Sequence, residues 1–187
     1  MKQIAFLILL CSFSYNLHGF EIGTIKLSQI IDSSKEYGNF ISNFKNIKKK
    51  IFDNLNNIEN NLNQKKEDIE NSKIILSQDE YDKRVNEFNI EANNFQVRVD
   101  KINKQIENYL KTNKSILINE VAEIVREISE ENNTDIIFNE NQYFLSNSKI
   151  DLTNLVIERL GNKKIDFSEI DINIEWKNII LRILLNF

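Results

Sequence analysis

From Asn39 to Asn133 the chain contains neither glycine nor proline, and apolar residues return along it at helical intervals. Tyr81, Phe88, Phe95, Ile102, Tyr109 and Ile116 recur every seven residues, with Val85, Ala92, Val99 and Ile106 interleaved between them. Two such rows are the a and d positions of a heptad, which share one helix face and need a partner helix to cover them. The interleaved row breaks at Asn113, which takes its next position. Upstream, Phe40, Phe44, Ile47, Ile51, Leu55, Ile58, Leu62 and Ile69 step by three, four or seven, and the two consecutive four-residue steps from Ile47 to Leu55 act as a stutter. Between the stripes, Ser77 and Glu80 have the spacing of a capping box, and Asp79 and Glu80 put negative charge where a first helical turn favours it. The pattern predicts two arms within residues 35–116, folded back at a tip near 75–78 into an antiparallel coiled-coil hairpin about 60 Å long. One continuous helix in an intermolecular coiled coil also fits the spacing. Phe44, Ile51, Phe88, Phe95 and Ile102 read as structural seam, and exposed apolar surface is expected outside it, at Ile90 and Val97.

The flanks have a different grammar. Glu21 to Lys26 suits a short strand, with Leu27 to Ile31 continuing apolar. The helical pattern of the second arm runs on through Val121, Ile124, Val125 and Ile128 and stops in Glu130 to Asn133. Asp135 to Phe138 and Gln142 to Leu145 are short β-branched or aromatic runs separated by Asn139-Glu140-Asn141, which predicts a β-hairpin. Asp151-Leu152-Thr153 opens a short helix that Gly161 stops, with Asp or Thr as its cap. In the remainder, Asn162 to Phe187, the residues Ile172, Trp176, Ile179, Ile180, Ile183, Leu184 and Phe187 suit one further helix.

At the other end, Lys2, the apolar run Ile4 to Leu10 and the more polar stretch Ser12 to Gly19 read as a secretory signal peptide over 1–19, cleaved after Gly19. A lipoprotein reading of Cys11 fits less well, because Leu10 stands where that cleavage wants a small residue. Removing this segment changes the chemistry available. The only cysteine and histidine, Cys11 and His18, go with it, leaving no disulfide, no Cys or His nucleophile, no imidazole base and no usual zinc set. Adjacent carboxylates such as Asp79-Glu80 and Glu130-Glu131 do not face one another on a helix, Ser77 has no base beside it in sequence, and no glycine-rich phosphate loop is present. The reading is therefore of a protein that is no enzyme and takes no cofactor or metal. Charge is uneven: residues 35–115 carry 15 Lys and Arg against 13 Asp and Glu, whereas 116–187 carry 7 against 13. The cluster Lys45, Lys48, Lys49 and Lys50 reads as a solvated helix face, and an exported, net-acidic chain is an unpromising nucleic-acid binder.

The strand segment Ile22 to Ile31, the long hairpin and, most specifically, the block Asn133-Thr134-Asp135-Ile136-Ile137-Phe138-Asn139-Glu140-Asn141 followed by Asp151-Leu152-Thr153 resemble the Skp/OmpH family of periplasmic chaperones for outer-membrane proteins. The likeness spans about residues 20–161. It implies an α+β, mostly α fold, in which a small β body (20–34 and 117–161) assembles as a homotrimer with helical arms projecting around a cavity. It further implies an ATP-independent periplasmic holdase that keeps unfolded outer-membrane proteins from aggregating. The assembly residues expected in the body are Ile22, Ile25, Ile136, Ile137, Phe138, Phe144 and Leu145, with strand alternation dividing them between two faces. The chain departs from the family in its acidic balance and in the extension 162–187, for which packing on the body, occupation of the cavity and peripheral membrane contact stay open. The alternative from another class is a structural coiled-coil envelope protein, or spacer, without chaperone activity.

Overall fold

The computed structural model describes residues 19–169. Residues 1–18 of the expected signal peptide, with Cys11 and His18, and the extension from Ile170 with Trp176 lie outside the described residues.

Strand β1 (Ile22–Ile25) leads into helix α1 (Leu27–Ser33) and then α2 (Lys35–Ser72). After a turn, α3 (Gln78–Glu131) runs back to β2 (Ile136–Asn139), two short 3-10 turns, and α4 (Thr153–Gly161). The gap without glycine or proline is thus filled by helices of 38 and 54 residues. Contacts climb α2 as they descend α3. Phe40 lies 5.5 Å from Tyr109, Phe44, Ile51 and Leu55 share a buried cluster with Ile102 and Ile106, Lys65 pairs with Glu91 at 2.5 Å, and Ile69 sits beside Tyr81, Val85 and Phe88. Phe44, Ile51 and Ile102 of the expected seam are buried, while Phe88 and Phe95, nearer the tip, are half-buried. Ile90 and Val97 are exposed, as their place outside the seam predicts. At the turn the Ser77 hydroxyl accepts from the Glu80 amide at 3.4 Å, but the Glu80 carboxylate turns to Arg84 instead of back to Ser77, so only half of the expected capping box forms.

The other end of α3 stops by a complete Schellman motif. Asn133 takes a positive φ of 50°, Thr134 N donates to Ser129 O at 2.9 Å, and Asn133 N donates to Glu130 O at 3.4 Å. Asparagine tolerates this left-handed geometry better than other side chains with a Cβ, which explains why the helix ends here without a glycine.

The sheet corrects the predicted β-hairpin. β2 pairs in parallel with β1, Ile22 opposite Ile136 through Ile25 opposite Asn139, and Gln142 to Leu145 forms no strand. A parallel pair needs a long crossover, and here the two long helices supply it. The hairpin fails at Asn139-Glu140-Asn141 because Asn139 caps a 3-10 turn, Glu140–Gln142, in a full capping box with Gln142, so the chain bends away instead of folding back. Behind the strands lies the main core: Ile25, Ile30, Leu117, Val121, Ile124, Ile128, Val156, Leu160 and Ile165. Ile165 comes from beyond Gly161, and Lys163 to Glu169 is non-helical, which corrects the helical reading for that part of the extension.

Candidate functional site

Helix α1 begins without a side-chain cap from its own N-cap residue, Lys26. Four amides at a helix N-terminus lack intrahelical partners, and distant parts of the chain serve them here. Asn139 Oδ1 accepts from Leu27 N at 3.4 Å, Glu140 Oε1 accepts from Ser28 N at 2.9 Å, and Thr153 Oγ1 accepts from Lys26 N at 2.9 Å. Thr153 in turn donates its hydroxyl and its amide to Asp151 Oδ1, at 2.5 and 3.0 Å, and Asp151 Oδ2 meets Lys26 Nζ at 3.1 Å. Thus Asp151, one residue ahead of the N-cap Leu152, serves the first amide of α4, and the Asp-Leu-Thr and Asn-Glu sequences have one job in common: both fasten the segment Thr24 to Ser28. Leu152 N adds a bond to Thr24 O at 2.8 Å, extending the two-stranded sheet by one parallel bridge. Upstream, Glu21 N donates to Asp135 Oδ2 at 2.9 Å while Asp135 N donates to Glu21 O at 2.8 Å. Apart from the local contact of Thr153 with Asp151, none of these pairings was visible in the sequence, because their partners lie more than a hundred residues apart.

The electrostatics follow the geometry. Burial disfavours the ionised form of Asp151, yet the Thr153 hydroxyl and amide, then Lys26, outweigh it and hold the carboxyl below its ordinary pKa. Glu140 is likewise held low against burial by the amides of Ser28 and Leu27. On the far side, Arg159 forms a two-pronged pair with Glu131, and Lys163 reaches Glu120 at 3.4 Å, tying α4 and the chain after it to α3. The hydrogen bond from Arg159 lowers the pKa of Glu131.

The expected assembly residues separate into two groups. Ile25 is buried in its own core and Ile137 packs against that core. Ile22 and Ile136, opposite each other across the parallel pair, are exposed, Phe138 is half-buried, and Phe144 and Leu145 stand almost wholly in solvent, Leu145 at 85%. Close by, the Tyr143 hydroxyl and Glu140 Oε2 are enclosed without a hydrogen-bond partner among the described residues. The body therefore offers an apolar, incompletely closed margin along β2. The arms offer Ile90 and Val97, and at the tip Ile74 and Ile75, which are 95% and 84% exposed. The lysine cluster is partly explained by Lys48, whose ammonium lies 5.4 Å from the Phe52 ring centre. Among the described residues, no cluster of three or more His, Cys, Asp or Glu is arranged to hold a metal ion, and no helix is long and apolar enough to cross a membrane.

A small mixed body thus carries two long, mutually packed helices and leaves apolar margins uncovered. The family description "Outer membrane protein (OmpH-like)" matches residues 21–160, and the chain belongs to that family. Among solved structures it is similar to a Caulobacter crescentus protein described as a "putative outer membrane chaperone (OmpH-like)", with a TM-score of 0.70 at 16% identity, covering 85% of this chain and 98% of that one. At that identity the likeness speaks for the fold alone. No curated protein matches the chain.

Proposed function

We propose that the protein is a periplasmic, ATP-independent holdase. In this reading three chains join through the β2 margin, and their helix pairs, as antiparallel coiled-coil arms, surround a cavity that receives unfolded outer-membrane proteins. The observation that carries the proposal is the body's open margin, with Phe144 and Leu145 uncovered and, among the described residues, two enclosed polar atoms unpartnered, in a member of the OmpH-like family. Joining copies there would cover the apolar margin and bring the arms side by side. Ile90, Val97 and the tip isoleucines then supply dispersed apolar contact, suited to chains whose lipid-facing side chains alternate with polar ones. Such binding consumes no nucleotide and makes no covalent change, so the protein acts as a chaperone and not as an enzyme. Export by the signal segment would place it in the periplasm of a Gram-negative envelope.

The test is light scattering from an outer-membrane barrel protein diluted out of urea. A holdase abolishes the scattering near one trimer per client, with or without ATP. A coiled-coil spacer leaves it unchanged at any ratio, and that result would remove the chaperone reading.

A further inference from the structure

The two arm helices reach the body by unequal routes. α3 runs unbroken from the tip into the main core, where it buries Leu117, Val121, Ile124 and Ile128. α2 has no such continuity. Ser34, in extended backbone with φ −71° and ψ 108°, separates it from α1, and Gly38 follows in its opening turn. Among the described residues, a Cβ at Gly38 would touch nothing within 4 Å. A helix that starts from one extended residue and carries a glycine in its first turn can swing at its base unless something holds it there.

The segment Lys163 to Ser168, which lies beyond the residues 21–160 that match the family, is placed to do so. It is non-helical and touches the body and both arm helices in turn. Lys163 reaches Glu120 and Glu127 of α3 at 3.4 and 3.8 Å, and Ile165 enters the body core. The Phe167 ring centre then lies 4.7 Å from that of Phe40 and 6.0 Å from that of Tyr37, both on α2. Finally, the amide and the hydroxyl of Ser168 donate to Asn113 Oδ1 on α3, at 2.8 and 3.0 Å, while the Asn113 side-chain nitrogen donates to Tyr109 O at 2.9 Å. Asn113 is fully buried, so withdrawing Ser168 would strand its oxygen without either donor, which is costly. We propose that residues 163–168 are a clasp that pins the base of α2 to α3, with Asn113 as its latch. The polar break in the α3 heptads then has a purpose: a leucine there would suit the seam but offers Ser168 no acceptor. The clasp moves the point at which the arms bend from Ser34 outward, past Phe44. Every group involved lies in one chain, so the clasp holds or fails independently of the holdase reading.

The test is amide hydrogen exchange, read by mass spectrometry on the full exported chain and on two variants, Phe167→Ala and Asn113→Leu. Each should speed exchange over residues 39–47, at the base of α2, by about tenfold, and leave residues 121–128 of the body core as they were. Unchanged exchange at 39–47 overturns the proposal, and so does equal acceleration in the body core, which would make the segment ordinary core packing. Slower exchange in Asn113→Leu also overturns it, since Asn113 would then only interrupt the seam. A distance gives a second reading that mere loss of packing energy would not move. Spin labels on Lys45→Cys and Lys111→Cys, exposed positions on α2 and α3, are placed in the exported chain, or with Cys11→Ser where the first segment is retained, and diluted with unlabelled protein. Their separation should be narrowly distributed in the otherwise unaltered chain and broadened by either variant. A distribution already broad, or one that neither variant broadens, contradicts the clasp.

Discussion

The body and the arms bury apolar residues in two different ways. In the body, Ile30, Leu117, Ile124, Ile128 and Val156 are wholly enclosed, and contributions from β1, α1, α3, α4 and the segment after Gly161 meet around them. In the arms one helix meets one helix. The cluster of Phe44, Ile51, Leu55, Ile102 and Ile106 is closed on a single seam, and toward the tip the seam residues Phe88 and Phe95 are only half covered. This difference in burial predicts a gradient of local stability, highest in the body and lowest at the arm ends. Such a gradient suits a rigid hub carrying compliant arms.

The sharpest way to break this comparison is to excavate each region in turn. Ile124→Ala in the body core should cost about 2–5 kcal/mol, whereas Phe95→Ala on the half-covered seam toward the arm tip should cost less, about 1–2 kcal/mol. Urea unfolding followed by circular dichroism measures both, and equal losses would mean that the body is not the stable unit. Next in size is Gly23→Ala. A Cβ there meets Leu152 Cδ1 at 2.7 Å, Ile137 Cγ1 at 3.1 Å and Thr134 Cγ2 at 3.3 Å. Because three packed side chains would have to give way at once, the unfolding free energy should fall by about 1–3 kcal/mol. Gly23 serves close approach here, since its φ is not positive.

Smaller effects come from the hydrogen-bonded joint. Asp151 and Glu140 have folded pKa values below their unfolded ones, so the stability they give is complete above the ordinary carboxylate range near about 4 and is lost as pH falls through the folded values. Acid titration monitored on the body should therefore show a loss that Asp151→Asn reduces, and an acid profile identical in wild type and variant would place the sensitivity elsewhere. Smallest of all is Ser77→Ala at the tip, about 1 kcal/mol or less. It should speed amide exchange around Glu80 and Tyr81 and leave the body's exchange unchanged. Spread of the effect into the body would show that the arms and the body unfold together.

What was legible follows the same division. The arms could be read because a coiled seam repeats: every heptad restates the rule, and even the exposed positions Ile90 and Val97 followed from it. The break at Asn113 was visible, but its cause, Ser168, lies 55 residues away and leaves no local trace. The body was harder. Its strands could be located from their β-branched runs, but their pairing joins Ile22 to Ile136 across the whole length of both arms, so a neighbouring partner was the natural and mistaken choice. Asn139 and Glu140 looked like a hairpin turn, whereas their side chains cap α1. The Asp-Leu-Thr helix start was legible as a cap; its grip on Lys26 was not. The exposed margin at Phe144 and Leu145 was foreseen only as part of a strand, and it is an irregular segment that leaves both side chains in water.

The central claim is that this margin joins three copies. The measurement that meets it most directly is the native mass of the chain beginning near Phe20, by light scattering after size exclusion. The account predicts three times the mature mass, eluting early because the arms are long, and a return toward single-chain mass in the double variant Phe144→Ser with Leu145→Ser. A monomer or a dimer for the unaltered chain would contradict it, and would leave a coiled-coil spacer as the better description of the protein.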